Sequence, residues 1–188
     1  MTFMSDVIHF LDSEVKNYRE KHPGVGLPED LFNCVTRMTP IMNVDLLLKD
    51  QNKRLLLAWR DDEFSGAGWH IPGGIVRFNE TLHDRVKKVS EIELGVLYDE
   101  FWFDPEPIAY NEVFIPRATR SHFFSILYNC TVDKEYTPPN SGLSPGVPGY
   151  LEWHDTCPQN LVKVHEMYSI CNEIVSSLRR GFKAPSYL

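Results

Sequence analysis

The chain has no C-x-x-C pair. Cys34, Cys130, Cys157 and Cys171 stand far apart, which argues against a thioredoxin-type dithiol or a structural zinc site, so reduced thiols in a cytoplasmic protein are expected. Basic residues form no stripe either. With 26 acidic against 19 basic residues the net charge is −7, which disfavours a nucleic-acid backbone as partner. Long apolar runs are missing too: the opening MTFMSDVIHFLDSEV is broken by Asp and Glu, so neither a signal peptide nor a membrane span is expected. His22 has no second histidine three or four residues away to make a metal-ligand pair, and no internal repeat occurs. What is present is one chain of 188 residues with an ordinary apolar share, long enough for a single domain with a real core.

Local pattern divides this chain into elements. Val7, Phe10, Leu11, Val15 and Tyr18 recur at helical spacing, predicting an amphipathic helix over Ser5 to Arg19 within an N-terminal extension of residues 1–27. A short helix is expected after Pro28, through Leu31 and Val35. The apolar runs Met42 to Leu48 and Arg54 to Trp59, joined by the polar Lys49 to Lys53, read as a hairpin. Strands are further expected at Val96 to Phe103, Ile108 to Phe114 and Ser121 to Val132, and order resumes at Tyr150 to Trp153 after a Pro/Gly/Ser-rich loop at Pro138 to Pro148. Helical spacing from Leu161 to Leu178 predicts a closing helix within residues 159–188. Strands interrupted by one central helix and finished by another predict an α+β or α/β/α sandwich.

The stretch that organises these elements runs from Gly68-Trp69-His70-Ile71-Pro72-Gly73-Gly74 through Glu80 to Glu93-Leu94-Gly95-Val96, a strand, a turn and a helix. Gly73 and Gly74 are expected to take positive φ and turn backbone groups toward a ligand. On the helix, positions 89, 92 and 93 share a face, but only Glu93 there is acidic, and it continues the apolar stripe of Leu82, Val86 and Val89. An ionised carboxylate in that place needs a metal, a partner such as Lys88 or Arg85, or exposure. Glu80, near the helix N-terminus, is favoured there by the helix dipole alone.

From Gly74 the pattern resembles the Nudix box, G-x5-E-x7-R-E-U-x-E-E-x-G-U with U aliphatic. Gly74, Glu80, Glu93, Gly95 and Val96 fall in register, while Lys88, Val89, Ser90 and Ile92 depart from it. A similarly depleted box belongs to the GDP-mannose mannosyl hydrolases. The lead-in Leu31 to Pro40, Val44-Asp45-Leu46, Leu55 to Arg60 and Gly68 to Gly74 is similar to theirs, over residues 28 to 96. The resemblance implies an α+β fold of the Nudix-type α/β/α sandwich, a mixed sheet with a central Nudix helix. It implies a Mg²⁺-dependent hydrolase, with Mn²⁺ as a substitute, that releases nucleoside diphosphate and sugar from a GDP-mannose-like nucleotide sugar by water attack on the anomeric carbon. A homodimer joined through N-terminal segments is implied as well.

Residue by residue, the resemblance implies metal binding by Glu93 and the Gly73 carbonyl, and leaving-group assistance by Arg60. It places Asp45 near the sugar and Lys88 toward the diphosphate. The family's late loop supplies a glutamine ligand and a histidine base, but here Ser144 to Tyr150 contains neither, and Ile75 replaces an arginine. His122, which matches a strand histidine of the family, is the expected substitute base, with His70, Glu112 and His154 as others. Arg117, Arg120 and His122 are candidates for an anion pocket, and Trp69, Trp102, Tyr110 and Phe114 for stacking on a base or sugar. Two rival functions are an ordinary Nudix pyrophosphohydrolase acting at phosphorus, and a binding module that has lost the chemistry.

Overall fold

Residues Ile41–Leu48 form the spine of the fold, because from Val44 onward they are buried on both faces and must lie between two covering layers. The computed structural model describes residues 3–166 and 182–187. In chain order the elements are α1 (Phe3–Lys21), α2 (Glu29–Val35), β1 (Ile41–Leu48), β2 (Leu55–Asp62), β3 (Gly66–His70), β4 (Gly73–Ile75) and α3 (Leu82–Glu93). A 3-10 turn at Tyr98–Glu100 leads to β5 (Phe101–Phe103), β6 (Ala109–Phe114), β7 (His122–Val132), β8 (Leu151–His154), α4 (Lys163–Glu166) and β9 (Phe182–Tyr187). In the mixed sheet β1 runs antiparallel to β4 and parallel to β7, and β6 pairs with both β7 and β9. A smaller antiparallel sheet has the order β3-β2-β8. This is the α+β sandwich that the alternation of elements predicts, with the mixed sheet that the resemblance implies.

Side-chain alternation assigns the layers. Val44, Leu46, Ile126 and Tyr128 point to the face covered by Val86, Val89 and Leu94 at helix α3. Leu47 and Leu127 point to the other face, against Leu57, Trp69 and Ile71. Helix α3 starts where it does because Thr81 and Asp84 form a capping box: the Thr81 hydroxyl accepts from the Asp84 amide at 3.1 Å, and the Asp84 carboxylate accepts from the Thr81 amide at 3.0 Å. It stops at Leu94 because Gly95 takes φ +65° and Val96 N–H returns to the Ser90 carbonyl.

Several expectations are corrected. The Lys49 to Lys53 turn forms, but β1 and β2 do not pair as a hairpin: beyond the single Lys49–Leu55 bridge they diverge into different sheets. Gly73 and Gly74 do not have positive φ. Glycine is required there for space. A Cβ on Gly73 would lie 2.6 Å from the Val44 carbonyl oxygen and strike the Asp45 carboxylate, and one on Gly74 would lie 2.9 Å from a Val89 methyl. The closing segment is not helical to the end, since Phe182–Tyr187 is a strand; Pro185, which has no N–H for a ladder, falls where the β6–β9 register shifts. Most of the expected closing helix lies outside the described residues. Cys34 and Cys130 are free thiols, but Cys157 is disulfide-bonded, against the expectation of four reduced cysteines. No helix among the described residues is long and apolar enough to cross a membrane.

Candidate active site

The small sheet turns Ala58, Arg60 and His70 toward the C-terminal end of α3. Ala58 pairs with His70 and Arg60 with Gly68, so alternation puts all three side chains on one face. Between that face and Glu93 lies a cleft of about 560 Å³. Its opposite wall is apolar, made by Ile92 and by Pro139, Leu143 and Pro148 of the late loop. That loop is tied down. The Asn140 side chain donates to the Leu151 carbonyl and accepts from its amide, at 2.7 and 2.9 Å, and Gly149 N–H donates to the Trp59 carbonyl at 2.9 Å.

Glu93 is a half-buried carboxylate held by one donor, the Gly73 N–H at 3.3 Å. Burial, with Asp45 adding to it, pushes its pKa up to about 7, while the Gly73 amide, Arg60 and Arg85 oppose the rise. Gly73 faces Asp45 at a position where the β1–β4 ladder makes no bond. The flanking bonds run from Leu46 to Pro72 and from Val76 to Met42, so the N–H and C=O of Gly73 both point away from β1. The Arg60 guanidinium lies 3.0 Å from Asp62, whose other oxygen caps the Phe64 and Ser65 amides and so fixes the partner in place.

This donor set fits a hard divalent cation that completes its coordination with water and phosphate oxygens. Mg²⁺ keeps several waters and typically takes one or two protein carboxylates plus substrate phosphates, rather than a full protein cage. A desolvated carboxylate with one long hydrogen bond, beside a carbonyl left out of the ladder, meets that need. Among the described residues no group of three or more His, Cys, Asp and Glu side chains is placed to hold a metal by itself.

Of the residues singled out in the sequence, Gly73, Glu93, Arg60 and His70 come together here. The others do not. Asp45 lies beneath the cleft, 1% exposed, accepting from Asn43 Nδ2 at 2.7 Å and from the Ser125 hydroxyl. Lys88 is exposed and paired with Glu91 at 2.7 Å, so it faces away from the cleft. His122 is removed by alternation. Phe123 pairs with Ile41 and Leu127 with Asp45, which puts His122 on the face of the sheet opposite Asp45, where it pairs with Glu112 at 2.8 Å. The candidate anion pocket is a structural clamp: Arg117 donates to the Arg120 and Phe64 carbonyls, and Arg120 stacks on Phe64 and Phe32 and pairs with Glu29. Neither Lys88 nor Arg85 pairs with Glu93; Arg85 makes a two-pronged ion pair with Glu80, at 2.7 and 2.8 Å. Trp69 is core, while Trp102, Tyr110 and Phe114 are exposed away from the cleft lining.

His165 escaped the sequence reading because no spacing signal links it to the box. The segment before it runs along the free edge of β3, with Val162 N–H donating to the Trp69 carbonyl, and so inserts the ring between Ile71 and Asp45. His165 Nδ1 accepts from the Ile71 amide at 2.8 Å, which leaves the proton on Nε2, 3.9 Å from Asp45. Burial first, then the Arg60 charge, pushes its pKa down to about 3. A histidine with a depressed folded pKa favours the folded state fully above pH 6.5, and that advantage is lost as pH falls toward 3. His165→Gln is therefore expected to make the loss of stability between pH 7 and pH 5 shallower by about 2 kcal/mol. Urea unfolding at the two pH values measures it, and unchanged pH dependence would count against a buried neutral ring.

No family model matches the chain. Its fold is shared by solved structures of a MutT Nudix hydrolase from Burkholderia pseudomallei (21% identity, TM-score 0.55, covering 73% of this chain and 99% of that one) and a Nudix hydrolase from Nitrosomonas europaea (14%, 0.55, 80% and 80%). A UDP-X diphosphatase is a third (15%, 0.53, 91% and 74%). The chain has the Nudix fold, as the resemblance of its strand-turn-helix unit implies. Among curated proteins it is 27% identical over 154 residues to the low-salt glycan biosynthesis protein Agl8 of Haloferax volcanii, over 74% of this chain and 97% of that one.

Proposed function

We propose that this protein is a cytoplasmic Mg²⁺-dependent hydrolase of a nucleoside diphosphate sugar, of the GDP-mannose mannosyl hydrolase type, releasing nucleoside diphosphate and free sugar. The observation that carries this reading is the single carboxylate that α3 brings to the cleft: Glu93 lines it together with Arg60, while the helix positions that would supply further acidic ligands are the buried Val89 and the apolar Ile92. Attack at phosphorus by the ordinary Nudix route relies on a richer acidic cluster. Attack at the anomeric carbon needs mainly a diphosphate made into a good leaving group, and one cation with Arg60 is suited to that. Glu93 and the Gly73 carbonyl would hold that ion, which supplies charge neutralisation to the departing diphosphate. The name of the Haloferax relative, a glycan biosynthesis protein, agrees with a sugar-bearing substrate. Helix α1 leaves Phe3, Met4, Ile8, Phe10 and Leu11 exposed, which supports a homodimer joined through this segment.

One observation favours a binding module instead: the late-loop wall offers prolines and leucine where the resembled family has a ligand and a base. Incubation with GDP-mannose, other nucleotide sugars and ADP-ribose in Mg²⁺ separates the readings. Nucleoside diphosphate plus free sugar is expected. Nucleoside monophosphate would replace this reading with the pyrophosphohydrolase, and tight binding without turnover would leave the module.

A further inference from the structure

We propose that His70 is the general base of this site, taking the proton of the attacking water through Nε2; the proposal rests on the anomeric-carbon reading above. His70 lines the cleft with Arg60 and Glu93. Its Nδ1 lies 2.8 Å from the Ala58 carbonyl oxygen, directly across the β2–β3 ladder. A carbonyl only accepts, so Nδ1 carries the hydrogen and Nε2 presents its lone pair. Among the described residues Nε2 has no hydrogen-bond partner, and it is not one of the polar atoms sealed from solvent, as His154 Nε2 is. The other candidates are elsewhere: His122 and Glu112 pair with each other on the opposite face, and His154 packs edge-on against Trp69. His165 packs against His70, ring centres 6.1 Å apart, with its own Nδ1 occupied by the Ile71 amide.

In the step, the water oxygen bonds to the anomeric carbon and the bond from that carbon to the diphosphate oxygen breaks. The electron pair leaves on the nucleoside diphosphate, beside Arg60. The water proton passes to Nε2 and then to solvent. Burial and the Arg60 charge keep the ring neutral beforehand, so its lone pair is available, and the negative charge of a bound diphosphate raises its basicity.

His70→Asn tests the assignment, since the Asn amide can keep the donor to Ala58 and removes Nε2. Expected is a fall in kcat of about 10²- to 10⁴-fold with nucleotide-sugar KM changed little. Azide needs no deprotonation. It should restore turnover in the variant and yield the glycosyl azide with nucleoside diphosphate. His70→Gln, assayed alongside with its thermal midpoint, guards against a folding defect in one variant. Wild-type kcat in either folded variant, or loss of kcat that azide does not restore, would overturn the base assignment. Wild-type protein that releases monophosphate, or turns nothing over, would overturn the underlying reaction and the base with it.

Discussion

Glu93→Gln is expected to abolish metal-dependent turnover, by about a thousandfold or more, and at the same time to stabilise the metal-free protein in mild alkali. The two effects have one cause. With its pKa pushed up to about 7, mainly by burial, the carboxylate above that pH is a charge the fold solvates poorly. A carboxyl with a raised folded pKa contributes stability that is lost as pH rises through the folded value. Glutamine occupies the same volume, can still accept from Gly73 N–H, and carries no charge. In EDTA at pH 8 the variant should gain about 2 to 3 kcal/mol in urea unfolding, and most of that gain should be lost by pH 5. Isothermal titration with Mg²⁺ and the nucleotide sugar would show the corresponding loss of cation binding. Full turnover in the variant would remove Glu93 from the site, and an equal stability gain at both pH values would refute desolvation as the cause.

Gly73→Ala is expected to be strongly destabilising. The added Cβ would lie 2.6 Å from the Val44 carbonyl oxygen, which belongs to the central strand, and against a carboxylate fixed by Asn43 and Ser125. Neither neighbour is the free end of a flexible side chain. The loss should reach about 3 kcal/mol, the upper range for overpacking, and activity should fall with it because the same residue anchors Glu93. Gly74→Ala meets a side-chain methyl of Val89 rather than backbone and should lose less. Thermal denaturation of the two variants side by side measures the difference. Equal, small losses would show that β4 can move away from β1.

What could be read in the sequence was local. The strand, the Pro-Gly-Gly turn, the helix and the glycine after it are adjacent in the chain, and their periodicity and turn chemistry do not depend on distant contacts. The same locality made Glu93 legible, since the helical angle alone puts it at the end of the Val86 and Val89 stripe. Only the tertiary structure decided which histidine enters the cleft. His122 and His70 both occur in apolar strands, but strand pairing sends one to the far face and the other beside Arg60, because a side chain's face depends on register with a partner far away in the chain. His165 illustrates the same limit: its position depends on an edge pairing with β3 across about 90 residues of intervening chain. The need for glycine at 73 and 74 was visible in the letters. Its reason, room for Asp45 and Val89 rather than positive φ, exists only once β1, β4 and α3 are packed together.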